Sequence, residues 1–172
     1  VHDIGKATEV FQYKIGKNLP ERRSALESAG IVFPDYYVKE NAVKTPHALA
    51  GEEILNLLGC PECVSAVVGA HHGVPAESVQ DLSQPARDIV LYENYYGYDK
   101  GNIEVFQSIW QMILDMALDV AGLSDVGELP QIGRSSQMLL CGLLIMADWL
   151  ASNTKLFPLS VSYTHLRAHE TK

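Results

Sequence analysis

Positive charge is scarce in this chain. Its 13 Lys and Arg stand against 21 Asp and Glu, a net charge of −8 at pH 7, which argues against a protein that grips nucleic acid by bulk electrostatics alone. An enzyme that cuts nucleic acid with bound divalent ions is not excluded, because such ions cancel carboxylate charge locally and a partner or fused domain could hold the strand. Cysteine is scarcer still. Cys60, Cys63 and Cys141 are odd in number and low in density, which argues against a disulfide scaffold and makes a reducing cytoplasm the default location. Cys60-Pro61-Glu62-Cys63 has no second pair to complete a zinc site, so buried or helix-entry cysteines are the plainer reading. Long apolar runs are missing too. The most apolar stretch, Met138 to Ala147, is half the roughly 20 residues that span a bilayer, and Asp148 ends it. No signal peptide is visible and no membrane partner is expected. Strand-type alternation is absent throughout, which makes the fold class all-α. At 172 residues and 47% hydrophobic content, one domain with a real core is expected.

The apolar spacing lays out a series of helices. Asp3 to about Lys17 reads as one helix with Ile4, Ala7, Phe11 and Ile15 on a single stripe. Asn18 to Lys44 is broken by Pro20, Gly30 and Pro34 and resembles an insertion. It holds a short helix over Glu21 to Ala29 and an aromatic cluster at Phe33, Tyr36 and Tyr37, whose rings either pin the loop or stack on bases. Thr45 and Pro46 mark a helix start, as N-cap and first helical residue, and place His47 in the first turn of a helix running toward Gly59. A further helix from Pro61 carries His71 and His72 in its last turn, with Gly73 as terminator. Ser83 caps a helix from Pro85 to Tyr92, and Tyr92, Tyr95, Tyr96 and Tyr98 form an interface patch. Asn102 caps a long helix, Ile103 to Ala121, with Val105, Phe106, Ile109, Ile113, Met116, Leu118 and Val120 facing inward. The last helix, Ser135 to Asn153, is apolar on nearly every face and is expected at the centre of the bundle. Val161 to Lys172 has no periodicity. His165 and His169 are spaced for a helical metal pair there, but no carboxylate completes the set. The segment reads as a non-native tail.

The chemistry-bearing residues are few and specific. Val1-His2-Asp3-Ile4-Gly5-Lys6 sets an imidazole beside a carboxylate, two ligand types that a hydrolytic divalent metal accepts, and the carboxylate has a second oxygen free to bridge. Lys6 shares the face of Asp3 one turn later, where an ammonium can meet a substrate phosphate. His71 and His72 are costly to place for packing alone, since each ring has two nitrogens to satisfy. Asp148 is a lone carboxylate following an apolar run and calls for a positive partner, which a metal supplies. Each of these residues has an ordinary structural reading by itself. Four imidazoles and two carboxylates together make a metal centre the better one.

The order His2-Asp3-Ile4-Gly5-Lys6, then Thr45-Pro46-His47-Ala48-Leu49-Ala50-Gly51, then Ala70-His71-His72-Gly73, then Ala147-Asp148-Trp149-Leu150-Ala151-Ser152 resembles the HD-domain metallohydrolases. Within them it resembles the HD nuclease domain of CRISPR-associated type I interference systems, found alone or fused to a helicase. The resemblance covers residues 1–158, with 159–172 as the tail. It implies a helical bundle holding one or two divalent transition-metal ions and hydrolysing single-stranded DNA as an endonuclease in antiviral defence. Its implied partners are a helicase domain or subunit that feeds the strand and the CRISPR effector complex. By position, Asp3 would bridge two metals, His2 and Asp148 would hold the first, and His47, His71 and His72 the second. Asp3 and Lys6 would be catalytic, with Lys6 neutralising charge in the transition state. A site rich in imidazole suits Mn, Fe, Co, Ni or Zn better than Mg. The family carries a further histidine on a helix before the HD pair, whereas this chain begins at Val1. The expectation is an N-terminally truncated domain with a weakened first site and substoichiometric metal.

Two other functions fit the same motifs. One is an HD phosphohydrolase acting on nucleotides or cyclic dinucleotides, although no basic cluster for a triphosphate is evident. The other is a catalytically impaired HD fold serving as an interaction module.

Overall fold

The computed structural model describes residues 1–33, 46–73 and 100–156. Six α-helices and two 3-10 turns make up these residues, and no strand occurs among them, in keeping with the all-α expectation. We number the helices α1 (Glu9–Gly16), α2 (Pro20–Ser28), α3 (His47–Leu57), α4 (Glu62–Gly69), α5 (Lys100–Ala121) and α6 (Arg134–Ala151). The predictions that rest on Tyr36, Tyr37, Thr45, the helix after Ser83, the tyrosine patch and the tail lie outside the described residues.

The first segment is not one helix. A 3-10 turn over Ile4–Lys6 is followed by a break, and Thr8 in extended conformation caps α1. The Thr8 hydroxyl donates to the Gly5 carbonyl and accepts from the Phe11 N–H, so it satisfies the end of one element and the start of the next. The break restarts the helical register. The buried face of α1 is therefore Glu9, Val10, Gln12, Tyr13 and Gly16, not the stripe through Phe11 and Ile15.

α3 and α4 form an antiparallel hairpin across Gly59, whose φ of +84° suits glycine. The Ser65 hydroxyl donates to the Asn56 side-chain oxygen, Glu52 covers Gly69, and Val68 meets Gly51. Extending that register puts His47, at the start of α3, opposite the residues that follow α4. Pro46 occupies the cap position of α3 rather than the first helical one, with φ −61° and ψ 140°. α4 ends at Gly69, so His71 and His72 stand in the turn beyond it and not in the helix. Cys60 is in the core. Cys63 faces Gln131 and Ile132 across a different surface, which leaves the C-x-x-C pair without a common site.

α5 runs through the core on Phe106, Trp110, Leu114 and Leu118, an i, i+4, i+8, i+12 row. Burying side chains of this size contributes about 1.5–3 kcal/mol each. The predicted face was rotated: Phe106 and Leu118 are inside, whereas Val105, Met116 and Val120 are exposed. Asn102 lies within α5 instead of capping it. Its buried amide donates to Glu9 Oε2 at 2.9 Å and to the Val32 carbonyl at 2.6 Å, and its oxygen accepts from the Val32 N–H at 3.1 Å. One side chain thus joins α5, α1 and the segment that follows α2.

α6 corrects the sequence reading most. None of its residues is buried, and Met138, Leu139, Leu143, Met146 and Trp149 are strongly exposed. A helix apolar all round carries no signal for which side meets its neighbour. α6 packs on α4 through one face, where the Cys141 thiol donates to the Ala70 carbonyl at 3.2 Å. Two turns further along that face stands Asp148.

Candidate metal centre

Four elements deliver the site. His2 and Asp3 precede the first 3-10 turn, His47 opens α3, His71 and His72 follow α4, and Asp148 comes from α6. The turn carrying His2 and Asp3 is fixed from behind through three consecutive carbonyls. Gly5 accepts from the Thr8 hydroxyl, Lys6 accepts from Gln12 Nε2 at 2.7 Å, and Ala7 accepts from Trp110 Nε1. Gln12 is itself held by Arg22 Nε at 3.0 Å. Sequence reasoning missed Gln12 and Trp110 as supports, and the Phe106–Trp110–Leu114–Leu118 row was the signal available for the latter.

Asp3 is the centre of the cluster. Its Oδ1 faces His47 Nε2 at 3.3 Å and His71 Nε2 at 3.8 Å, and its Oδ2 faces His2 Nε2 at 3.4 Å and Lys6 Nζ at 3.2 Å. Burial pushes the pKa of this carboxyl up, but the His2 and His47 side chains and the Lys6 ammonium outweigh it. Asp3 is held far below the usual carboxylate range. Asp148 Oδ1 lies 3.6 Å from His2 Nε2, and Ser152 donates to it at 3.4 Å. The apolar run before Asp148 predicts a buried helix. The helix is not buried, yet the carboxylate is turned inward, onto His2.

The imidazoles crowd one another. His71 and His72 ring centroids are 4.2 Å apart, His47 and His72 4.7 Å, and both His2–His71 and His47–His71 5.3 Å. Ligand nitrogens of His47, His71 and His72 lie within 4.8 Å of one another. Burial lowers the pKa of His71 and of His72. The neighbouring imidazoles lower both further, while for His71 the Val68 carbonyl acts the other way. Both rings are therefore kept neutral, the form that ligates metal.

The donor set fits a divalent transition ion. His71 Nδ1 is 2.6 Å from the Val68 carbonyl, an acceptor that can only take a proton from the ring. Its Nε2 then carries a lone pair, is buried without a hydrogen-bond partner, and faces the Asp3 carboxylate. His47 Nε2 and His72 Nε2 face each other at 2.9 Å. A lone pair aimed at an anion is unfavourable unless a cation stands between them. His2 Nε2 is likewise buried without a hydrogen-bond partner, between two carboxylates.

The family model described as "Cas3, HD domain" matches residues 1–157. The chain belongs to this family. A relative from Streptococcus thermophilus, named CRISPR-associated nuclease/helicase Cas3, is 35% identical over 170 aligned residues, covering 92% of this chain and 18% of the relative. The chain thus spans under a fifth of the length of the curated relative it matches. No solved structure matches it significantly. None of the described helices is long and apolar enough to cross a membrane.

Proposed function

We propose that this HD domain is a metal-dependent endonuclease that hydrolyses single-stranded DNA in CRISPR type I interference, working in the cytoplasm with a helicase domain or subunit and an effector complex. The observation that carries the reading is the convergence of His2, Asp3, His47, His71, His72 and Asp148 from four separate elements, in a chain of the Cas3 HD family.

His47, His71 and His72 would hold one divalent ion, His2 and Asp148 would hold a second, and Asp3 would reach both, since each of its oxygens faces a different set of imidazoles. Mn, Fe, Co, Ni or Zn suits this imidazole-rich set. When bound, such an ion polarises a phosphodiester and lowers the pKa of water. The chain supplies the rest. Asp3 stays ionised through the physiological range, so it is suited to ligate an ion and to orient attacking water by accepting a hydrogen bond from it. Lys6, held by Asp3 Oδ2 at 3.2 Å, places a positive charge at the rim, where it can meet a phosphate oxygen as charge builds in the transition state. The Val68 carbonyl fixes the His71 tautomer and keeps Nε2 free to ligate.

Circular single-stranded DNA separates this reading from a nucleotide phosphohydrolase. With Mn or Ni added, the chain is expected to linearise the circle and to release no phosphate from nucleotides or cyclic dinucleotides. Nucleotide hydrolysis with the circle intact would overturn the proposal.

A further inference from the structure

α1 turns Glu9, Val10, Gln12, Tyr13 and Gly16 inward. At 3.6 residues per turn Phe11 falls on the opposite side of the helix, and it is not a member of the apolar core. On that side of α1 a ring stays open to solvent unless another element covers it. Phe11 is instead half-buried, with its ring 5.4 Å from that of His47 at an interplanar angle of 69°. It therefore borders the imidazole cluster while retaining accessible surface. Its neighbours in the cluster are charged or polar: His47 against the ring, with Asp3, Lys6 and His72 beyond it. A phosphate has no use for an apolar ring, whereas a nucleobase has a π-face that stacks on one at little cost in sequence selectivity.

We infer that Phe11 is a specificity-determining residue: its ring stacks on the nucleobase flanking the phosphate that the cluster attacks. This rests on the nuclease reading above and deepens it. Stacking needs a base with an open face. A base in a duplex has both faces covered by its neighbours, so this contact selects single strands without any reading of base edges. The division of labour is then spatial, with Lys6 meeting the phosphate and Phe11 the base next to it.

The test compares wild type, Phe11→Leu and Phe11→Tyr, each loaded with Mn, on oligothymidylate and on an abasic strand of the same length. Anisotropy reads binding, gel electrophoresis reads cleavage, and calorimetry reads Mn affinity. Phe11→Leu is expected to weaken oligothymidylate binding about 10-fold, to match wild type on the abasic strand, and to keep its Mn affinity. Phe11→Tyr is expected to restore binding. Equal behaviour of Phe11→Leu and wild type on oligothymidylate would overturn the inference alone. So would an equal loss on both strands or a loss of Mn affinity, which would make the ring a prop for His47. Wild type that neither binds nor cuts either strand would overturn the nuclease reading, and this inference with it.

Discussion

Gly5 lies directly against the backbone of His47: a β-carbon added at Gly5 would come within 1.9 Å of the His47 carbonyl oxygen and 2.6 Å of the Gly51 nitrogen. The turn that carries His2 and Asp3 is thereby pressed onto the first turn of α3. A side chain of any size would push the two halves of the cluster apart.

Gly5→Ala should therefore be far worse than its single methyl suggests. Its clash is with backbone, which cannot rotate away. A loss of about 3 kcal/mol, the upper end of overpacking costs, is expected in urea unfolding, together with loss of metal binding. A variant as stable as wild type with intact Mn uptake would show that the contact is not needed to assemble the cluster.

Trp110→Phe tests the support behind the same turn. It keeps most of the apolar volume but removes the indole N–H that donates to the Ala7 carbonyl. The expected cost is about 1–3 kcal/mol, the range for stranding a buried acceptor. Weaker Mn affinity by calorimetry should accompany it, because Ala7 lies only four residues beyond Asp3.

Metal should stabilise the fold. Neutral His71, with its Nε2 lone pair facing Asp3, is an arrangement that a cation completes. At Mn or Ni concentrations 100-fold above the dissociation constant, about 2.7 kcal/mol of added stability is expected, seen as a rise in thermal midpoint that a chelator reverses. His71→Ala should reduce that rise, leaving only what an ion at His2, Asp3 and Asp148 contributes.

Acid should destabilise the metal-free chain in two stages. His71 and His72 have pKa values below their ordinary 6.5, so the unfolded state binds protons that the native state refuses. Their contribution is complete above about pH 6.5 and is lost as pH falls below it. Asp3 is depressed below its ordinary 3.8, so its contribution is present above that pH and is lost as pH falls further. Denaturant midpoints measured from pH 8 to 3 should fall through both windows. His71→Ala should flatten the first and Asp3→Asn the second.

The sequence carried the helical class plainly, because its apolar residues recur at helical spacing and strand-type alternation is absent. It carried the candidate cluster by residue type. Asp3, His47, His71, His72 and Asp148 drew attention because none is inexpensive to place in an apolar bundle, and they lie together. Register was less legible. Thr8 breaks the first helix by capping a new one, which shifts its buried face away from Phe11 and Ile15. α5 has apolar residues on more than one side, so the row through Trp110 was indistinguishable from a neighbouring one. α6 has almost no polar side, and only its neighbour decides which face turns in. Asn102 was read as a cap since asparagine favours caps, but its two-way amide serves as a buried clamp on Val32. The Thr8 cap has local partners in Gly5 and Phe11, whereas the other outcomes depend on partners distant in sequence.

The most direct measurement is cleavage of circular single-stranded DNA by the Mn-loaded chain beside Asp3→Asn of equal helical content. The wild type is expected to open the circle and Asp3→Asn to leave it closed, since the Asp3 carboxylate faces His47 and His71 with one oxygen and His2 with the other. Equal cleavage by both proteins would place the chemistry elsewhere and contradict a metal centre built on Asp3.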